Sequence, residues 1–539
     1  MTWEETAEKK RAYVRSQIPS EWILSSIPSV EEARNPTEFL DSVLPEDEKA
    51  ITSKTLLELK DEIASKKLTS YEITKAFCHR AAIAHQIINC CSEIFFDKAL
   101  ATAKELDEIY STTGKLIGPL HGLPISLKDQ VNLEGFDSSI GFVSLAFKPK
   151  TKDEVSVIAD ILSDAGAVFY VKTCVPMAMM APDTFTNLYG QTVNSKNRLL
   201  SAGGSSGGES SLIGCGGGLI GLSTDIGGSI RIPACFNGLF ALRGCTGRLP
   251  YCKVTNSAAY QPIVPSVIGP SAKDLTDLEY FVKTIIDSEP WLKDPKCPPI
   301  PWRTIDLPKQ LCFGILTNNG AITPHPPVQR ALRLLKDKLE AAGHIVFEWK
   351  HPVPIKTIMD NLNDIYVADG YKEAQKLAGD SGEPIIPQLM AFTDDLPVMN
   401  VSQHWEQARL KYETQQAYDS AWMATKEHTG TGRPMDAWIS PVWETTSYPA
   451  GQCKPYHCSY TYPANYLDYT SVVMPVTTVG EEDNVAADYE PLNSDDKETK
   501  ELWDYELFKG MPVTVQVHGF RYEEEKTIKM VKEITKVLS

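Results

Sequence analysis

The sequence predicts an α/β protein built on one large sheet, with a helical arm at its N-terminal end. Three observations carry this expectation. Beyond about residue 118, short apolar runs alternate with amphipathic helical patterns, as in α/β domains. Strand-like runs stand near both ends of that pattern with no repeat or low-complexity linker between them, which favours a single sheet over two domains. Residues 1–110, by contrast, read as mostly helical, an arm packed on a main body spanning 111–539.

The elements follow in order. Thr69-Ser-Tyr-Glu72 is a capping box, and Ile73, Phe77, Ala81, Ala84 and Ile88 then recur at helical spacing. Glu93 to Ser111 predicts a second amphipathic helix ending near Gly114. Ile125-Ser-Leu-Lys128 predicts a strand whose alternation puts Ser126 and Lys128 on one face. Thr151-Lys-Asp-Glu154 predicts a helix start, running through Val155, Ile158, Leu162 and Ala165 until Gly166 stops it. Ala167–Val171 and Leu219–Ser223 read as buried strands. Val513–Val517 is another, followed by a helix with Ile528, Val531, Ile534 and Leu538 inward. The acidic stretch after Val479 is expected to be a surface excursion.

Charge narrows the function classes. With 53 basic and 70 acidic residues the formal charge is −17, which argues against nucleic-acid or anionic-membrane binding. Much of the excess is local, since residues 481–509 hold 11 acidic and 3 basic side chains. No apolar run reaches the ~20 residues of a membrane span. The opening Met1-Thr-Trp-Glu-Glu lacks the apolar stretch of a signal peptide, so a cytoplasmic enzyme is expected. The 12 cysteines are then expected as buried reduced thiols. Cys453, His457 and Cys458 fit no standard zinc spacing, and no metal is expected.

One region departs from ordinary composition. Ser201-Ala-Gly-Gly-Ser-Ser-Gly-Gly-Glu-Ser210 is followed by Cys215-Gly-Gly-Gly218 and Thr224-Asp-Ile-Gly-Gly-Ser-Ile-Arg-Ile-Pro233. Such glycine density suits a backbone that turns tightly or approaches a ligand. A phosphate cradle would need Lys-Ser/Thr after its last glycine, but Glu209 follows Gly208. A nucleophile elbow matches at Gly203–Gly207, around Ser205, and again at Gly204–Gly208, around Ser206, yet Asn197–Ser201 is a poor preceding strand. Amide cleavage accounts for more residues together. It needs an activated nucleophile, donors for the oxyanion and a proton for the leaving amine. A serine can be activated by a neutral lysine, provided the lysine is desolvated. Lys128, in a strand with Leu123, Ile125 and Leu127, is a candidate. Asp225-Ile-Gly-Gly-Ser229 offers consecutive N–H groups around the Ser229 hydroxyl.

Further stretches join these: Gly118-Pro-Leu-His-Gly-Leu-Pro-Ile-Ser-Leu-Lys-Asp129, Gly190–Asn194, Gly269-Pro270 and Gly510-Met-Pro512. Together they resemble the amidase signature family of serine hydrolases, and within it the fungal acetamidases. The resemblance runs from about residue 46 to the C-terminus. It implies one α/β/α domain around a mixed, twisted sheet, with its catalytic core at about 118–275.

The resemblance also implies roles. Lys128 would be the base, Ser205 a bridging serine in a cis peptide, and Ser229 the nucleophile. The N–H groups of Ile226, Gly227, Gly228 and Ser229 would form the oxyanion hole. Met177, Met180, Gly203 and Gly204 would meet substrate, and Ser206, Asp225 and Arg231 would support the loops, Arg231 by pairing with Asp225 or a backbone carbonyl. The reaction implied is hydrolysis of a small aliphatic or aryl amide to acid plus ammonia or amine, without cofactor. A homodimer is compatible with it. Departures from the family pattern fall at Met177, Thr184, Ser195, Gly244 and Cys245, of which Met177 and Thr184 would lie beside the substrate region. They keep open a specialised amidase acting on a bulky or fatty amide. An ammonia-supplying subunit of a tRNA amidotransferase is a further alternative.

Overall fold

The computed structural model describes residues 1–257, 259–392, 396–453 and 458–538. Thirteen strands are present among them: β1 (Cys91–Ile94), β2 (Pro124–Lys128), β3 (Val168–Thr173), β4 (Phe185–Thr186), β5 (Gly190–Gln191), β6 (Ile220–Asp225), β7 (Phe240–Arg243), β8 (Val267–Ala272), β9 (Cys312–Ile315), β10 (Ile345–Glu348), β11 (Ala437–Pro441), β12 (Ser471–Thr478) and β13 (Pro512–His518). All but the small β4–β5 hairpin join one 11-stranded sheet, ordered β1-β3-β2-β6-β8-β7-β12-β13-β11-β9-β10. The sheet is mixed. β3, β2 and β6 run parallel, as do β11, β9 and β10, while the pairs from β6 through β13 to β11 are antiparallel.

Both faces of the sheet are buried, as the apolar runs require. On β12, Val472 and Met474 enter one core while Val473 enters the other. The first core takes the helices Val157–Asp164, Leu275–Asp287, Pro326–Ala341 and Glu524–Leu538. The second takes Arg231–Asn237, Ile355–Tyr366, Val401–Ala424 and Tyr462–Leu467. This is the expected α/β/α arrangement.

Local structure departs from expectation in two places. The helix expected from Glu93 begins at Phe96, and residues 91–94 form the edge strand β1 instead. Asn89, at φ 53°, turns the chain out of the preceding helix, and pairing with β3 then overrides helical periodicity. The Thr151–Glu154 box is real but caps only a 3₁₀ turn. Val155 is extended, and the helix restarts at Val157, because Ser156 is held by Asn132 and Lys253.

The N-terminal helix Trp3–Ser16 is pinned by a buried lysine. Lys10 Nζ donates to Glu93 at 2.6 Å and to Asp137 at 2.7 Å. The acidic stretch after Val479 is anchored too: Asp483 pairs with Arg330, and Phe508 is buried with Met511 and Val513. Cys245 ties two segments together through its thiol. Its Sγ accepts the Tyr522 N–H at 3.0 Å and donates to the Asp468 carbonyl at 3.1 Å. All 12 cysteines are free thiols. His457 lies outside the described residues.

Candidate active site

The site forms where β2 and β6 end side by side. Their parallel register, Ile125 opposite Ile220 and Leu127 opposite Leu222, brings the end of β2 at Lys128 beside the end of β6, within reach of Thr224. Two loops close over this point: Gly203–Gly208, leading into the helix Gly207–Gly214, and the turn following Asp225.

Lys128 is fully buried. Its Nζ lies 2.8 Å from Ser205 Oγ and 2.8 Å from Thr224 Oγ1. Burial outweighs the attraction of Asp225, Asp129 and Glu209 and brings its pKa down to about 7, so much of the amine is neutral at neutral pH. Asp129, adjacent in sequence, does not pair with it. That carboxylate accepts the Ile140 N–H at 2.6 Å and the Ser139 hydroxyl at 3.3 Å. Ser126, on the same face of β2, donates to the buried Glu209 carboxyl, which burial raises to about 7.

The Gly204–Ser205 peptide is cis. A Cβ on Gly204 would stand 2.4 Å from the Ala181 carbonyl oxygen, so no larger residue fits. Ser206 braces the loop: its N–H donates to the Ser229 carbonyl at 3.2 Å and its hydroxyl to the Thr224 carbonyl at 3.4 Å. Thr184 holds the same loop from behind, donating to the Gly203 carbonyl at 2.8 Å. Ser195, another departure, is buried against Asn237 at 2.8 Å.

Beneath the second loop lies a charged knot. Asp225 accepts from Arg231 at 3.0 and 3.1 Å, from Asn465 at 2.7 Å and from the Gly228 and Ile230 N–H groups at 2.8 and 3.2 Å. Burial pushes this carboxyl up, but Arg231 and Asn465 overcome it and hold it at about 2. Arg231 takes both of its expected partners, Asp225 and a backbone carbonyl, that of Thr461 at 2.8 Å. Arg231→Met would leave the carboxylate buried without its cation, and chemical denaturation should show a loss of about 3–5 kcal/mol.

The knot changes one oxyanion assignment. The Gly228 N–H points to Asp225, not to the cavity. Among the described residues, the N–H groups of Ile226, Gly227 and Ser229 donate to no protein acceptor. Their peptides are fixed from behind: Tyr366 donates to the Ile226 carbonyl at 2.5 Å and Thr461 to the Gly227 carbonyl at 2.6 Å.

Ser229 is partly exposed and faces a slot of about 40 Å³ walled by Met179, Met180, Gly204, Gly227, Tyr366 and Tyr462. Ser205, Thr224 and Gln130 meet Ser229 again in an adjoining polar chamber. Met180 and Tyr366 also border a wider chamber of about 380 Å³ with Ile365, Met399 and Tyr371. Of the residues expected to meet substrate, Met180 and Gly204 line the slot. Met177 and Gly203 line neither chamber. Met177 is turned into a core with Ile140 and Phe142, and Gly203, at φ +77°, is pressed against Pro233. Tyr366, Tyr462 and Cys458 come to the slot, and Thr461 to the loop behind it, from distant sequence with no motif to announce them. Gln130, Met179 and Thr224 could have been read from proximity to the motifs.

The fold and this cavity are those of an amide hydrolase. The amidase family profile matches residues 72–528. The acetamidases of Aspergillus oryzae and Emericella nidulans are 39% and 40% identical to the chain, each covering 100% of it and 99% and 98% of their own lengths. A fatty acid amide hydrolase structure superposes with a TM-score of 0.91 at 32% identity, covering 99% of this chain and 95% of that one. The chain belongs to the amidase signature family, and it is an enzyme hydrolysing amide C–N bonds.

Proposed function

We propose that the chain hydrolyses small aliphatic or aryl amides through an acyl-enzyme on Ser229. The observation that carries this is a buried Lys128, its pKa brought down to about 7, in contact with Ser205, which shares a chamber with Ser229. Ser229 Oγ attacks the amide carbon, passing its proton to Ser205 as Ser205 passes its own to Lys128. The oxyanion accepts from the N–H groups of Ile226, Gly227 and Ser229. As the C–N bond breaks, the proton returns through Ser205 to the leaving amine. Water, deprotonated by the same route, then attacks the ester, releasing the acid and restoring Ser229.

The narrow slot and the full-length acetamidase relatives support a small acyl group. A second reading, a bulky or fatty amide, is favoured by one observation: the wider apolar chamber continues past Met180 and Tyr366. An ammonia assay across acetamide, benzamide, indole-3-acetamide and long-chain amides decides between them. The first reading expects the highest kcat/KM among the small members, and a maximum at long chains would replace it with the second. Release of ammonia by the purified chain alone removes the tRNA amidotransferase alternative. Buried reduced thiols suit a cytoplasmic site of action.

A further inference from the structure

We propose that Gln130 is a positioning residue that fixes the direction of the hydrogen bonds at Lys128 and leaves the amine's lone pair facing Ser205. This rests on the reading of Lys128 as the base. Gln130 is buried and follows Lys128 by two residues, but it is not in contact with the amine. It acts through Thr224.

The direction follows from one backbone carbonyl. Gln130 Nε2 lies 2.9 Å from the Thr255 carbonyl oxygen, which can only accept. The amide nitrogen must therefore face Thr255, and Oε1 faces Thr224. Oε1 can only accept as well, so the Thr224 hydroxyl, 2.6 Å away, gives its single hydrogen to Gln130. Thr224 Oγ1 then has only lone pairs to offer Lys128 Nζ at 2.8 Å, and the amine must donate there. Its next nearest acceptor is the Thr224 carbonyl at 3.5 Å. A neutral amine has two hydrogens and one lone pair. With both hydrogens drawn toward Thr224, the lone pair is left for the Ser205 hydroxyl at 2.8 Å. Without Gln130, the Thr224 hydroxyl is free to rotate and donate into that lone pair, competing with Ser205. Tyr251, whose hydroxyl accepts from Nε2 at 2.9 Å, is dispensable to the argument because Thr255 alone orients the amide.

Gln130→Met, close in shape but unable to accept from Thr224, tests this with steady-state kinetics across pH. The expected result is a plateau kcat lowered about tenfold with KM nearly unchanged. The acid limb should also move to lower pH, since a weaker acceptor at Thr224 stabilises the ammonium less. Asp129, Asp225 and Glu209, the other charged groups near Lys128, are untouched by the substitution. Tyr251→Phe, which also removes a buried hydrogen bond from Gln130, should leave plateau and limb in place. In a Thr224→Val background, Gln130→Met should lower the plateau no further. An unchanged profile in Gln130→Met, an equal fall in Tyr251→Phe, or additivity with Thr224→Val overturns the proposal. Should Gln130→Met not fold, Thr224→Val carries the test by itself, because an unchanged plateau there is equally fatal. Lys128→Ala separates the two levels of the argument. If it stays active, the reading of the site has failed. If it is inactive while Gln130→Met behaves as wild type, only the role of Gln130 has.

Discussion

Ser229→Ala is expected to release no measurable ammonia from any amide the parent enzyme hydrolyses, a loss on the order of 10⁴-fold or more. The hydroxyl is the reacting atom in the proposed mechanism. The three free N–H groups and the slot remain to bind the substrate, so affinity should survive where turnover does not. A fluorophosphonate probe followed by peptide mapping should label Ser229 in the parent and nothing in the variant. Ser206, whose N–H and hydroxyl are both engaged in holding the loops together, should stay unlabelled. A label on Ser206 would restore the nucleophile-elbow reading.

Lys128 carries the second large effect. With a folded pKa of about 7, the amine is ammonium below that pH and cannot accept the relayed proton. Activity should therefore fall about tenfold per pH unit on the acid side of pH 7 and level off above it. Lys128→Ala should abolish acylation. Lys128→Arg should not restore it, since guanidinium stays protonated. An active arginine variant with an unaltered profile would remove Lys128 as base. The same displacement from the model-compound value of 10.5 links to stability. Between pH 7 and 10.5 the unfolded chain holds a proton that the folded chain does not, so stability rises with pH across that window. Below pH 7 the penalty of burying the amine is felt in full. Lys128→Met should accordingly melt at a higher temperature than the parent at neutral pH, and calorimetry of the two proteins checks this.

What could be read in the sequence was local in origin. β2, β3, β6 and β13 stood out because apolar runs with turn residues at their ends announce buried strands. Ser205 and Ser229 stood out because their loops abandon side chains for glycine and Lys128 because it sits in an apolar strand, while the family resemblance supplied their roles. The sequence was silent where partners come from far along the chain. Tyr366 and Thr461 reach the loop at Ile226–Gly228 from 140 and 234 positions away. Nothing in the periodicity of their own helices distinguishes a tyrosine holding a carbonyl from one filling a core. β1 was missed for a related reason: four residues are too few to show alternation, and only the ladder with β3 makes them a strand. The Gly228 N–H was misassigned because a run of glycines gives no sign of which amide the neighbouring carboxylate will capture.

The placement of β1 bears on how the chain behaves when shortened. β1 is the outermost strand on its side of the sheet, paired with β3 from Cys91 opposite Thr173 to Ile94 opposite Val171. Thr173 in turn lies in register with Lys128. A protein cut to begin near Gly118 would lack β1 and expose the row of unpaired N–H and C=O groups along β3, one strand removed from the lysine. An uncovered apolar edge of that kind recruits strands from other chains. The first hundred residues thus act as a seal, and their removal would yield aggregates in place of a smaller hydrolase.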